Sequence, residues 1–570
     1  MVVPAPVVEL NRSTDASEQV PAIARFLPSL TDIAFLMPLF FVFMTLNGAR
    51  TLLGDGDTGW HIRTGEWILA NHQVPHVDFF SFTRPGAPWF AWEWLSDVVF
   101  ATIYHHGGLA AVVLASLTVI CITSLCLFRL IRRASNNSLV AIAVTLLATG
   151  GCAIHWLARP HLFTLFFLVI TMHITVRAAE GRTGLLAWLV PLTLVWTNLH
   201  GGFFVIFLVL LCYIASDLLN AAIERDPAQR NRFLRSTKPW LVTAAGCFAV
   251  TFINPYGWQL HQHLAKYIVD PYQMVHIAEF QSMNFHSPVI VYFEPLMMMA
   301  VLTAVWDARC RRFADCFLSL GWLHLALVAQ RNIPLFVIVA SPMVARAIVS
   351  LIDAAALKNV HLAVWIGRVS AWFKDSAASF EQTDRLWRVH LASAVPLLAI
   401  GLLLLAPRPA GAKFTSTYDP GAYPEKAIPV LLTPETHHIF ADDEWGDYLI
   451  YNLYPSKQVF VDGRSDFYGD EFGERYLDLL NVKYGWGKVL DRYDIDTIVL
   501  SPRAALANTL KISREWRVVY DDGVAVVFRR TGPMPSRQPV SLVSSDEGKI
   551  RDRAITKTIT RDRRITKPTT

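Results

Sequence analysis

Two carboxylates, a histidine and an arginine fall within nine residues in Asp55-Gly56-Asp57-Thr58-Gly59-Trp60-His61-Ile62-Arg63, just past the first long apolar run. Ionisable side chains at a membrane surface are expensive to place and are kept for a task. Further polar groups recur in short loops: Glu93 in a Trp-rich stretch, Arg159-Pro160-His161, Asn198-Leu199-His200-Gly201-Gly202, Glu279-Phe280-Gln281 and Gln330-Arg331-Asn332. Arg159 and Arg331 suit phosphate, because a guanidinium binds phosphate oxygens bidentately and stays charged beside lipid. Such a set is expected of an enzyme working on a lipid-linked substrate at the membrane face. Plainer explanations compete. The two arginines could be snorkelling interface anchors, His200 a helix-end feature and Asp57 a helix N-cap. Asp78, Glu66 and Asn254-Pro255-Tyr256 read as turn or solvated-surface residues.

The elements that must hold these groups are membrane helices. The chain has 570 residues, 53% hydrophobic and only 17% charged, with mean hydropathy +0.36. A soluble domain is about one quarter charged, so most of this chain belongs in lipid. A net charge of +5 is too small for its length to indicate nucleic acid. The seven cysteines lie in or beside apolar runs and read as small apolar residues, without disulfide or zinc spacing. A bilayer core takes about 20 residues of helix. Runs near 31–46, 109–130, 139–156, 162–176, 185–196, 203–219, 240–253, 289–306, 313–328, 335–349 and 391–405 give about eleven spans, and 94–104 could add a short piece.

Every second loop is basic: Arg129, Arg132 and Arg133; Arg177 and Arg182; Arg225 to Lys238; Arg309, Arg311 and Arg312; Lys358 to Arg388. By the positive-inside rule these loops are cytoplasmic. The N-terminus is then cytoplasmic, and the motifs and C-terminal domain lie on the other side. The start lacks the pattern of a cleaved signal peptide, and the topology fits a bacterial inner membrane with a periplasmic C-terminal domain. Trp60, Trp67, Trp89, Trp92 and Trp94 crowd the first outer loop, as headgroup-level residues do. Residues 58–71 read as a surface helix with Asp57 at its positive end.

On these features the chain resembles the GT-C superfamily of membrane glycosyltransferases, which includes oligosaccharyltransferases, protein mannosyltransferases and enzymes that glycosylate lipid A. The shared features are an Asp-x-Asp (Asp55-Gly56-Asp57) directly after the first span, the helix Trp60-His61-Ile62-Arg63, the return Trp89-Phe90-Ala91-Trp92-Glu93-Trp94, many further spans and an outer C-terminal domain. The resemblance implies sugar transfer from a polyprenyl-phosphate or polyprenyl-diphosphate donor. One loop carboxylate would be general base toward a glycan, lipid or protein acceptor. It assigns Asp57 as base, with Asp55 or Glu93 as partner. It also implies Mg²⁺ or Mn²⁺ on Asp55 and Asp57, since hard oxygens suit these ions. Oligosaccharyltransferases carry Trp-Trp-Asp in the outer domain. Trp445-Gly446-Asp447-Tyr448 lacks the second Trp, so an Asn-x-Ser/Thr acceptor is not indicated.

The expected architecture is a polytopic α-helical membrane protein with a small C-terminal α/β domain. Its parts are a cytoplasmic segment 1–30, a transmembrane domain 31–408 with first outer loop 51–95, a periplasmic domain 411–530 and a basic, low-complexity tail 531–570. In the C-terminal domain, strands are expected at 438–441, 458–461 and 497–500, helices at 445–453, 471–480, 487–493 and 504–510, and a hairpin of strands 516–520 and 524–528. Asp462-Gly463-Arg464-Ser465-Asp466 follows a strand end, where α/β sheets bind ligands, so Asp462, Arg464 and Asp466 join His61, Arg63, Arg159, His161, His200 and Arg331 as candidate substrate contacts. Two further functions stay open. A lipid-linked glycan transporter or flippase would place charges on broken helices at the bilayer midplane. A non-catalytic scaffold binding envelope glycans would tolerate loss of Asp55 and Asp57.

Overall fold

A computed structural model describes residues 26–356, 389–406 and 413–532, with short pieces between 368 and 377. Most of the expected N-terminal segment, the basic residues Lys358, Lys374, Arg385 and Arg388, and the tail beyond 532 lie outside the described residues. Six helices are long and apolar enough to cross a membrane: Trp94–Ser135, Ser138–His155, His161–Ala179, Gly201–Ile223, Ile290–Arg309 and Gln330–Ala354. The shorter apolar helices Leu30–Thr45, Thr183–Leu199, Phe313–Val328 and Leu391–Leu405, and the helix Pro227–Val250, fall on the remaining apolar runs of the sequence. The protein is a polytopic membrane protein.

Local sequence accounts for the element ends that matter to the site. Ser29 accepts the Asp32 N–H and Asp32 returns to the Ser29 N–H, a capping box that starts the first apolar helix. The helix Trp94–Ser135 breaks at Gly107 and Gly108, the latter at φ 60°, a conformation open to glycine. The break separates an arm, which begins beside Glu93, from the apolar span.

The helix Asp57–Asn71 lies between that arm and the helix Asp443–Leu453. Gly65 permits the first contact, since a Cβ there would stand 1.9 Å from the Asp97 carbonyl oxygen. Beyond the helix, the loop joins the C-terminal domain. The Phe82 N–H donates to Val459 O (3.1 Å), and the Val459 N–H donates to Phe80 O (3.0 Å).

The C-terminal domain holds four strands, β1 (Ile439–Phe440), β2 (Thr497–Leu500), β3 (Trp516–Asp521) and β4 (Val526–Arg530), in the order β1-β2-β4-β3. β1 and β2 are parallel and the other pairs antiparallel. Helices Asp443–Leu453, Asp470–Leu480, Trp486–Arg492 and Ala505–Ile512 occupy the expected stretches. Two details differ from expectation. The strand expected at 458–461 reduces to isolated bridges, Val459 pairing with both Ser81 and Ile439. Its second neighbour is the first loop, which local periodicity cannot reveal. The hairpin's return strand starts at Val526 rather than 524, because the Asp522 carboxylate takes the N–H groups of Val524 (3.0 Å) and Ala525 (2.8 Å) and lengthens the turn.

Candidate active site

Asp57 opens its helix without capping it. Gly56 is the N-cap, and no side chain caps there. The Asp57 N–H instead meets Asp55 Oδ1 at 3.2 Å, and Trp60 Nε1 donates to Asp57 Oδ1 at 3.3 Å. These contacts aim the remaining oxygens of both aspartates at Arg159. Arg159 Nη1 lies 2.8 Å from Asp55 Oδ2 and 3.0 Å from Glu279 Oε1, and its Nη2 lies 2.6 Å from Asp57 Oδ2. Three carboxylates thus surround one guanidinium, each side chain between one seventh and about one quarter exposed. Burial, relieved by Arg159, leaves the Asp55 carboxyl raised to about 7. At Glu279 burial acts upward as well, but Arg159, His155 and Arg331 outweigh it and bring the group to about 2.

The turn that carries Arg159 is stapled to the first loop. The Ala158 N–H donates to Leu52 O (2.7 Å), and Thr58 Oγ1 donates to Ala158 O (3.0 Å). Arg159 is therefore a built part of the site and not a loose interface anchor.

Glu93 holds the adjoining wall. Its Oε1 is 3.3 Å from His200 Nε2, and its Oε2 is 3.5 Å from His61 Nε2. The network assigns the His200 tautomer: Nδ1 accepts from the Gly202 N–H (3.0 Å) and from Thr164 Oγ1 (2.7 Å), which itself accepts from Trp196 Nε1 (2.8 Å). His200 must then present Nε2–H to Glu93. His61 Nδ1 meets Asp97 Oδ1 at 2.6 Å, which leaves its Nε2 facing Glu93. Burial, with Arg159 and His200 nearby, holds the His61 imidazole well below its usual range. Burial pushes Glu93 up to about 8. His200 is lowered to about 3, chiefly by burial and then by Arg331 and Arg159. Burial thus disfavours the charged form of all three groups in this wall.

Arg331 lies over the Phe280 ring, 4.5 Å from its centroid, and donates to Tyr267 Oη at 3.2 Å. Among the described residues it makes no carboxylate ion pair, which leaves guanidinium N–H groups for a ligand. Asp466 reaches the same region from the C-terminal domain, with Oδ2 2.9 Å from His263 Nε2. That histidine stacks on Phe90.

Four expected substrate contacts are used internally. Arg464 donates to Asp462 through Nε (2.8 Å) and Nη2 (2.7 Å), and to Asp78 through Nη2 (2.8 Å). Arg464 and Asp462 are buried, and Arg464 stacks over Trp89 and Phe80. The pair locks the first loop to the domain. Arg63 donates to the Tyr451 carbonyl through Nε (2.8 Å) and Nη2 (2.5 Å), and to Glu66 (2.6 Å). It tethers the first-loop helix to Asp443–Leu453. His161 is buried and donates through Nε2 to His155 O at 2.7 Å.

Two site members, Glu279 and Asp447, are not among the residues to which the sequence assigns a catalytic or substrate-binding role. Glu279 carries no motif. Asp447, in Trp445-Gly446-Asp447-Tyr448, brings the C-terminal domain to Asp57. A Cβ on Gly463 would stand 2.5 Å from Asp447 Oδ2 and 2.7 Å from Asp57 Oδ1, so both carboxylates face one narrow gap. Asp447 Oδ1 accepts the Gly463 N–H at 2.9 Å. Burial, then Asp57 and Asp462, raise the Asp447 carboxyl well above the ordinary range.

No protein-family model and no curated protein matches the chain. Solved structures do. The oligosaccharyltransferase of Archaeoglobus fulgidus in the apo form aligns over 82% of this chain and 69% of its own, at TM-score 0.52 and 12% identity. The same organism's oligosaccharyltransferase AglB, in complex with an inhibitory peptide and a dolichol-phosphate, aligns over 90% and 75%, at TM-score 0.52 and 12% identity. ArnT from Cupriavidus metallidurans in the apo state aligns over 89% and 99%, at TM-score 0.40 and 14% identity. The chain shares its fold with these Archaeoglobus fulgidus oligosaccharyltransferase structures.

Proposed function

We propose that the protein is a membrane glycosyltransferase that moves a sugar from a polyprenyl-phosphate-linked donor to an acceptor on the extracytoplasmic face. The observation that carries this reading is the convergence of Asp55, Asp57, Glu93, Glu279, Arg159 and Arg331 on one face, under an α/β domain that adds Asp447. Folds host unrelated functions, so the site decides. Its parts suit an in-line displacement at a sugar carbon. The acceptor oxygen or nitrogen forms a bond to the anomeric carbon, the bond from that carbon to the phosphate oxygen breaks, and polyprenyl phosphate leaves. Arg331, stacked on Phe280 and without a carboxylate ion pair among the described residues, meets the phosphate charge. Asp57 takes the acceptor proton, and Arg159 orients it. The solved AglB of the same fold is in complex with a dolichol-phosphate, which agrees with a lipid phosphate ligand here. The localisation that fits is a bacterial inner membrane, with the N-terminus cytoplasmic.

Separating binding from turnover tests these assignments. Polyprenyl phosphate should bind the purified protein in detergent, and Arg331→Ala should weaken its Kd about tenfold, the ~1.4 kcal/mol of a charge-assisted contact. Asp57→Asn should leave that Kd within about twofold while slowing sugar transfer by about 10²–10⁴. Unchanged affinity in Arg331→Ala would remove it as the phosphate ligand.

A further inference from the structure

Arg159 sits at the centre of its carboxylates. Asp55 and Asp57 come from one turn of chain and Glu279 from another, and each aims an oxygen at the same guanidinium, at 2.8, 2.6 and 3.0 Å. A divalent ion would require those oxygens to close on one point at roughly 2.0–2.6 Å. Here a planar cation about 2.3 Å across its amino nitrogens separates them. Among the described residues, no three His, Cys, Asp or Glu side chains are grouped to hold a metal ion. The guanidinium is not a swinging side chain that drifted into a gap. Its backbone turn is pinned to the first loop by the Ala158–Leu52 and Thr58–Ala158 hydrogen bonds, on either side of the Asp55–Asp57 segment.

We infer that Arg159 is the resident cation of this site and takes the position a divalent metal would fill on Asp55 and Asp57. The residues therefore do not fit the Mg²⁺ or Mn²⁺ that the superfamily resemblance implies. Arg159 neutralises and orients the two aspartates, and the lipid phosphate is met by the Arg331 guanidinium. The inference rests on the proposed function for its meaning, but its geometry concerns the protein alone.

Mn²⁺ is the probe, and the readout needs no substrate. Mn²⁺ binding to the purified full-length protein is followed by electron paramagnetic resonance, beside thermal unfolding with and without Mn²⁺. Wild type should bind no Mn²⁺ that Asp57→Asn abolishes, and its melting temperature should not respond to the ion. Arg159→Ala leaves three facing carboxylates and should gain one Mn²⁺ site, with at least tenfold tighter binding than wild type and a melting temperature raised by Mn²⁺. Arg159→Asn serves where the alanine variant does not fold. A stoichiometric Mn²⁺ site in wild type that is lost in Asp57→Asn overturns the inference. So does a folded Arg159 variant that gains no site, because the guanidinium would then not occupy a cation position. Sugar transfer with and without EDTA is measured separately. Absence of any transfer would count against the function and leave the Mn²⁺ result standing.

Discussion

Glu93 is a residue at which burial changes chemistry. Its ordinary value is 4.5, and burial raises it to about 8. Between those values the folded protein holds a proton that the unfolded chain has lost. Stability from this group is complete below 4.5 and is lost as pH rises toward 8. Glu93→Gln keeps the shape and removes the titration. From about pH 5 to about pH 8 the wild-type melting temperature should fall further than that of Glu93→Gln, read by scanning fluorimetry. Parallel slopes would show that Glu93 ionises normally. The two aspartates are legible in the sequence because Asp-x-Asp stands beside an apolar span. The His61–Glu93–His200 bridge is not, since its members lie on different segments and only packing brings them together.

At the scale of elements, the first-loop helix and the C-terminal domain behave as one body. Arg464 and Asp78 stand 386 residues apart, so in local sequence Arg464 looks like an available cation in a loop. Removing one member of a buried ion pair strands the other and costs about 3–5 kcal/mol. Arg464→Ala should therefore lower stability by that order in denaturant unfolding and free the loop to protease, whereas a surface-contact role would leave both unchanged. Gly463 is a second joint. Gly463→Ala forces a methyl between Asp447 and Asp57 and should reduce sugar transfer at least tenfold, with a smaller effect on unfolding. A methyl tolerated with full activity would show that this gap is not part of the site. Strand and helix periodicity locates most of the domain's elements. It fails at 458–461, whose partner is the first loop, while the helix Trp258–Ile268, outside that domain, is amphipathic and too polar to register as a span.

At the scale of the whole molecule, polar groups are divided between two faces. Asp55, Glu93, Arg159, His200, Glu279 and Arg331 gather with the C-terminal domain, while Arg311–Glu224 and Arg133–Glu180 pair on basic loops at the other helix ends. Basic-loop alternation makes this division readable from sequence, and it yields an orientation test. Cys310 is the exposed native cysteine among the described residues. In a Cys310→Ser background, Tyr484→Cys should react with an impermeant thiol reagent in intact spheroplasts, and Arg230→Cys only after permeabilisation. The reverse pattern would invert the topology. The most direct test of the account is the release of polyprenyl phosphate and formation of glycosylated acceptor by the purified protein in nanodiscs, using labelled polyprenyl-phosphate sugars and envelope extracts as acceptor. Wild type should turn over, and Asp57→Asn, confirmed as folded by a cooperative melting transition, should be slower by about 10²–10⁴, the worth of a general base. Equal turnover by wild type and Asp57→Asn would contradict the account.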